Sequence, residues 1–160
     1  MDVLKINWDL IDRYCDEIVA KMKDFDPQII VGISRGGLVP SRLIADRLDL
    51  RSVFVIGVEL YKKFEKRSEG PRITQEIQSG VVKGKKVLIV DDVSDSGETL
   101  KFVKKHVEEL GAKEVRSATL HMKPNTKFKP DYFHSIESAW LEYPWETYEL
   151  KRVLKKDFEN

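Results

Sequence analysis

One cysteine, Cys15, stands in a chain of 160 residues, so no internal disulfide can staple the fold. A reducing, cytoplasmic setting is the expectation. No run of about 18 or more apolar residues occurs, which argues against a membrane-spanning helix. An excess of either charge is missing too: 28 basic residues face 27 acidic ones, a net +1. That balance supplies no bulk field to attract nucleic acid or a membrane surface, and neither is expected as a partner. The opening MDVLKINWDL lacks the basic-then-apolar layout of a secretory leader. Asn and Gln number three each beside many Lys and Glu, the balance found in heat-adapted proteins. Repeats, low-complexity tracts and linkers are absent, and the length suits one domain, residues 1–160.

What is present alternates between strand and helix patterns. Asn7 can cap a helix in which Trp8, Ile11, Tyr14, Cys15, Ile18, Val19 and Met22 recur at helical spacing, with Asp26-Pro27 as its breaker. QIIVGIS reads as a short buried strand ending at RGG. Residues 38–48 read as a helix with Leu38, Leu43, Ile44 and Leu48 inward and Pro40 in its first turn. SVFVIGVELY is a second strand. Residues 62–72 are charged and aperiodic and read as a loop. RITQEIQSG suits an edge strand, and KKVLIVDD a buried one. A helix from about Gly97 to Leu110 ends at Gly111. EVRSATLHM and DYFHSI are two more strands before an aromatic-rich, then basic, tail. Short connections between alternating elements imply a mainly parallel sheet with helices on both faces. Ligands of such sheets sit at the carboxyl ends of the strands, where the turns after Ser34 and Asp92 fall.

The stretch VLIVDDVSDSGETL, residues 87–100, carries the strongest chemical signal. One of its aspartates could cap the following helix while the others are solvated. Against that, Asp91 and Asp92 directly follow four apolar residues at the mouth of a sheet. Carboxylates so close repel unless a cation or a hydroxyl-rich ligand shares them. The turn Asp95-Ser96-Gly97-Glu98-Thr99 presents successive backbone N–H groups at a helix start, a cradle for an anion. Ser96 and Thr99 add hydroxyls, and Gly97 permits close backbone approach. Together these suit a metal-bound sugar carrying a phosphate.

This stretch resembles the phosphoribosyl-diphosphate (PRPP) signature of the type I phosphoribosyltransferases. The resemblance implies a sheet core under a small hood formed by the chain ends. It implies that Asp91 and Asp92 bind the ribose hydroxyls, directly or through Mg²⁺, and that residues 95–99 cradle the 5′-phosphate. Ser96 stands where threonine is commoner, and Glu98 puts an acid beside a dianion. The segment SRGGLVP, otherwise an ordinary strand-to-helix turn, resembles the pyrophosphate loop of xanthine-guanine phosphoribosyltransferases. By that likeness Ser34, Arg35, Gly36 and Gly37 bind pyrophosphate across a cis Ser34–Arg35 bond. The loop at 62–72 would be a lid, with Arg67 its pyrophosphate contact and Arg72 the rival.

Taken alone, Lys123 is a surface lysine and Trp140 a core aromatic. HMKPNTKF and AWLEYPWE together resemble the base-binding end of 6-oxopurine enzymes. The resemblance then has Lys123 donating to the purine O6, Trp140 stacking on the ring, and the carbonyls of Trp140 and Leu141 accepting from a 2-amino group. Asp95 would face purine N7 as the base. It also implies Mg²⁺ as cofactor, PRPP and a purine as substrates, and a homodimer or homotetramer. The rivals are a PRPP-sensing regulator, which the balanced charge disfavours, and an enzyme for another nucleobase, which Lys123 and Trp140 disfavour. Nothing after Glu146 is carried over. His106, His121, His134 and Cys15 read as ordinary helix and strand residues, without the spacing of a metal site.

Overall fold

The apolar run at residues 87–90 is wholly buried, and its side chains alternate between two separate cores. Leu88 and Val90 join one, Val87 and Ile89 the other, as a strand covered on both faces requires. The computed structural model describes residues 2–61 and 70–158. In chain order they form β1 (Val3–Lys5), α1 (Trp8–Ala20), β2 (Ile29–Ser34), α2 (Leu38–Arg47), β3 (Val53–Tyr61), β4 (Gly70–Gln75), β5 (Lys86–Ser94), α3 (Glu98–Glu109), β6 (Glu114–Met122), β7 (Tyr132–Ile136), β8 (Trp140–Glu142) and α4 (Thr147–Phe158).

Six strands make the central sheet in the order β4-β3-β2-β5-β6-β7. Every pairing is parallel except β3 with β4. Ile11, Ile18 and Ile44 of α1 and α2 pack with Leu88 and Val90 on one face. Leu100, Val103 and Val107 of α3 pack with Val87 and Ile89 on the other. This is the mainly parallel α/β architecture expected. The hood is a two-stranded parallel sheet in which Leu4 of β1 pairs with Leu141 of β8. Leu141, Tyr143 and Ile6 bury against the α1 side of the core, and Trp145 stacks on Tyr143 at 5.8 Å from Trp8.

Several boundaries differ from expectation. Asn7 caps α1, its Oδ1 accepting from the Leu10 N–H at 2.9 Å, but the helix stops at Ala20, well before Asp26-Pro27. Met22 is buried beyond the helix end, so burial there does not follow from helical phase. In α2 the inward residues are Pro40, Ser41, Ile44 and Ala45, while Leu38 is 42% exposed. The reason is that Leu38 opens the helix beside a cleft rather than against the sheet. Residues 70–72 are not loop: they begin β4, where Arg72 pairs in register with Glu59. Arg67 lies outside the described residues. β5 runs past Asp92 to Ser94, because β6 accompanies it that far. The strand β1 was not foreseen; three residues carry too little pattern to announce themselves.

Candidate active site

The site begins where β5 outlasts one of its neighbours. β2 pairs with β5 only as far as Gly32 opposite Val90, whereas β6 stays with β5 to Ser94 opposite Met122. Beyond its cis Ser34–Arg35 bond, β2 turns through Gly36 and Gly37 into α2. The exposed end of β5 then satisfies its backbone with side chains. Asp91 Oδ1 accepts from the Asp92 N–H at 2.9 Å, and Asp92 Oδ1 from the Val93 N–H at 2.7 Å. Each carboxyl commits one oxygen to the backbone, and the Asp92 carboxyl also hydrogen-bonds those of Asp91 and Glu146.

Strand alternation sends the two aspartates to different clefts. Asp92 falls on the α1 and α2 side, in a cavity of about 430 Å³ lined by Arg35, Gly36, Leu38, Val39 and, from the C-terminal segment, Trp145, Glu146, Tyr148, Glu149 and Arg152. Asp91 opens onto a smaller cavity of about 150 Å³ with Ser94, Asp95, Ser96, Gly97 and Thr99. Burial, reinforced by the Asp92 charge, pushes the Asp91 carboxyl well above the usual range. Burial raises Asp92 too, against the pull of the hydrogen bond from Val93. Glu146 is pushed up to about 8, by burial first and then by Asp92. Asp91, Asp92 and Glu146 thus all resist ionising, and among the described residues no three acids are arranged as a ready-made metal cluster.

The turn at residues 95–99 is built for close backbone approach. Gly97 sits at φ 85°, and a Cβ there would lie 2.6 Å from the Phe128 nitrogen, so no other residue fits. Ser94 Oγ anchors the turn from below, 2.9 Å from Thr126 Oγ1 and donating to the Phe128 carbonyl at 3.0 Å. The Lys127 N–H donates to the Ser96 carbonyl at 2.9 Å. Gly97 is the N-cap of α3, and the residue before it, Ser96, takes the Glu98 N–H on its Oγ at 3.3 Å. Glu98 is exposed, which leaves its N–H at the helix start while its carboxylate faces solvent.

Asp95 lines a third cleft as well, of about 700 Å³, together with Asp2, Ser96, Lys123, Pro124, Asn125, Ser138, Ala139 and Trp140. Lys123 is held there by its own backbone N–H, which donates to the Ser94 carbonyl at 2.9 Å, and by its Nζ, which donates to the Ala139 carbonyl. Trp140 is 42% exposed, an aromatic face turned to the cleft rather than a core residue. On β8 the Trp140 N–H donates to Asp2 and the Glu142 carbonyl accepts from Ile6. Parallel pairing alternates edges, so the backbone of Leu141 faces away from β1.

The structure therefore gathers Asp91, Asp95, Ser96, Gly97 and Thr99 in one place, Lys123 and Trp140 in a cleft that shares Asp95, and Arg35 and Gly36 beside Asp92. Gly37 is buried deeper, N-capping α2; a Cβ on it would lie 2.8 Å from the Ile33 carbonyl oxygen. What sequence reasoning missed is the start of α4. Glu146 abuts Asp92, and Glu149 pairs with Arg35 at 3.2 Å. Their i, i+3 spacing was the only available signal, and it does not say which strand end the helix meets.

A family model described as phosphoribosyl transferase domain matches residues 4–149. The xanthine-guanine phosphoribosyltransferase of Cereibacter sphaeroides is 30% identical over 149 residues, spanning 88% of this chain and 85% of that protein. A purine phosphoribosyltransferase from Pyrococcus horikoshii superposes with a TM-score of 0.81 at 41% identity, covering 91% of this chain and 94% of its own. The Helicobacter pylori xanthine-guanine-hypoxanthine phosphoribosyltransferase shares the fold, with a TM-score of 0.78 at 24% identity over 96% of this chain and 99% of its own.

Proposed function

Because this chain belongs to the phosphoribosyl transferase domain family, we propose that it joins the phosphoribosyl group of PRPP to a 6-oxopurine, releasing pyrophosphate, as a step of purine salvage. The observation that carries this reading is the position of Asp95, which lines both the phosphate turn and the cleft of Lys123 and Trp140. The bond to be formed, between the anomeric carbon and a purine nitrogen, belongs at that junction.

Each group then has a task its surroundings support. Residues 95–99 hold the 5′-phosphate by backbone N–H groups and the hydroxyls of Ser96 and Thr99. Arg35 and Gly36 receive the pyrophosphate, where the glycine lets the backbone come close, while Gly37, its N–H held by the Ile33 carbonyl at 2.8 Å, shapes the turn beneath them. Lys123 donates to O6, Trp140 stacks on the ring, and the open-edge carbonyl of Leu141 accepts from a 2-amino group. Asp95 takes the proton from N7. The adjacent carboxyls of Asp91 and Asp92, whose mutual repulsion a cation would relieve, suit Mg²⁺, which when bound would offset the charge of the departing pyrophosphate. A homodimer or homotetramer is the assembly this reading carries, and sedimentation would check it.

The test is direct. The protein incubated with PRPP, Mg²⁺ and hypoxanthine, guanine or xanthine separately should form the matching nucleoside monophosphate, and excess chelator should stop it. No nucleotide from any of the three, with adenine or a pyrimidine turned over instead, would overturn the substrate class.

A further inference from the structure

A buried chain of hydrogen bonds crosses from β6 to the acidic end of β5 through Tyr143. His121 Nδ1 lies 2.8 Å from the Tyr143 hydroxyl, and that hydroxyl lies 3.1 Å from the Asp92 carbonyl oxygen. Both side chains are about 1% exposed. The directions follow from proton counting. A carbonyl can only accept, so the single Tyr143 proton points to Asp92. The hydroxyl oxygen must then accept from His121, which fixes the imidazole as the Nδ1–H tautomer. Burial, with His134 and Lys123 nearby, holds the His121 pKa down at about 4, so the ring is neutral and carries that one proton.

The location matters because it lies where the sheet stops supporting β5. Past Val90, strand β2 no longer pairs with β5, and the Asp92 and Val93 N–H groups are taken by the carboxylates of the preceding residues. The Tyr143 hydroxyl supplies the same stretch with a fixed donor. Its ring cannot drift, since Trp145 stacks on it at 4.9 Å with an interplanar angle of 5°. Tyr14 packs edge-on to His121 at 5.3 Å. We propose that Tyr143 is a positioning residue for the reaction: with His121 as its orienting donor, it fixes the Asp92 carbonyl and so the directions in which the Asp91 and Asp92 carboxyls point. The inference rests on the reading of these aspartates as the PRPP site. It also ties the hood, which carries Trp140, to the ribose end of the site through three residues of chain.

The experiment compares wild type with Tyr143→Phe, which keeps the ring and its stacking but removes the hydroxyl. Binding of PRPP with Mg²⁺ is measured by calorimetry, and KM for PRPP, KM for guanine and kcat by assay, well below the melting temperature. Loss of one neutral hydrogen bond corresponds to about a three- to tenfold weakening. That weakening should appear in PRPP affinity, with KM for guanine unchanged because Tyr143 does not line the base cleft. His121→Asn, which keeps a donor near Nδ1, should stay closer to wild type than His121→Leu. A residue that merely packs would lower the melting temperature and leave both PRPP affinity and kcat as they were; that result overturns the assignment alone. A wild type that binds no PRPP overturns the functional reading and this inference together.

Discussion

Gly36 and Asp92 are so closely apposed that a Cβ added to the glycine would lie 2.5 Å from the Cγ of the aspartate. The turn after β2 and the acidic end of β5 are thus one packed unit, although 55 residues of chain, with α2, β3 and β4, separate them.

Gly36→Ala should therefore displace the Asp92 carboxyl while leaving the ladders of β2 and β5 intact. Overpacking of this kind costs about 1–3 kcal/mol. PRPP affinity should fall about tenfold or more, with a smaller loss of stability. Calorimetry beside a thermal melt checks it; an alanine variant that binds PRPP normally would show that Asp92 moves freely.

On the proposed role of Lys123 as donor to O6, Lys123→Ala should remove a charge-assisted hydrogen bond worth about 1.5–3 kcal/mol. The loss should fall on KM for the base and spare PRPP. Equal losses for both substrates would mean that Lys123 serves the phosphate turn instead.

Asp95→Asn keeps shape but not basicity. The N-cap of α3 is Gly97, and the Glu98 N–H goes to Ser96 rather than Asp95, so stability should hardly change. Turnover should fall by about 10²–10⁴-fold with PRPP affinity little affected. Wild-type kcat in the Asn variant would exclude Asp95 as the base.

His121 makes stability depend on pH. Its folded pKa of about 4 lies below the ordinary value of 6.5, so between them the unfolded chain binds a proton that the folded chain refuses. Stability from this group is complete above pH 6.5 and declines towards pH 4, by on the order of 3 kcal/mol. Glu146, raised from 4.5 to about 8, acts oppositely, since there the folded chain holds the extra proton and loses stability as pH rises. His121→Phe should therefore flatten the fall in melting temperature between pH 6.5 and 4.5. An unchanged fall would place the titration elsewhere.

Glu149→Gln releases Arg35 from its ion pair. Both partners are largely exposed, so the effect is small, and pyrophosphate should bind about two- to fivefold tighter. Weaker binding would mean that the pair holds Arg35 in its productive position.

The acidic strand end and the Gly97 turn were legible in the chain itself because their geometry is local. Period two decides that neighbouring aspartates diverge, and a glycine at positive φ decides where the backbone can turn tightly. The alternation of apolar runs likewise determined a sheet covered on both faces. Other features depend on contacts between distant residues. Leu38 faces a cleft because α4 comes back across it, and Glu146 resists ionising because it meets Asp92. The hydroxyl of Tyr143 finds the carbonyl of a residue 51 positions earlier. No periodicity records such meetings, since the burial that makes them strong arises only when separate elements exclude water between them.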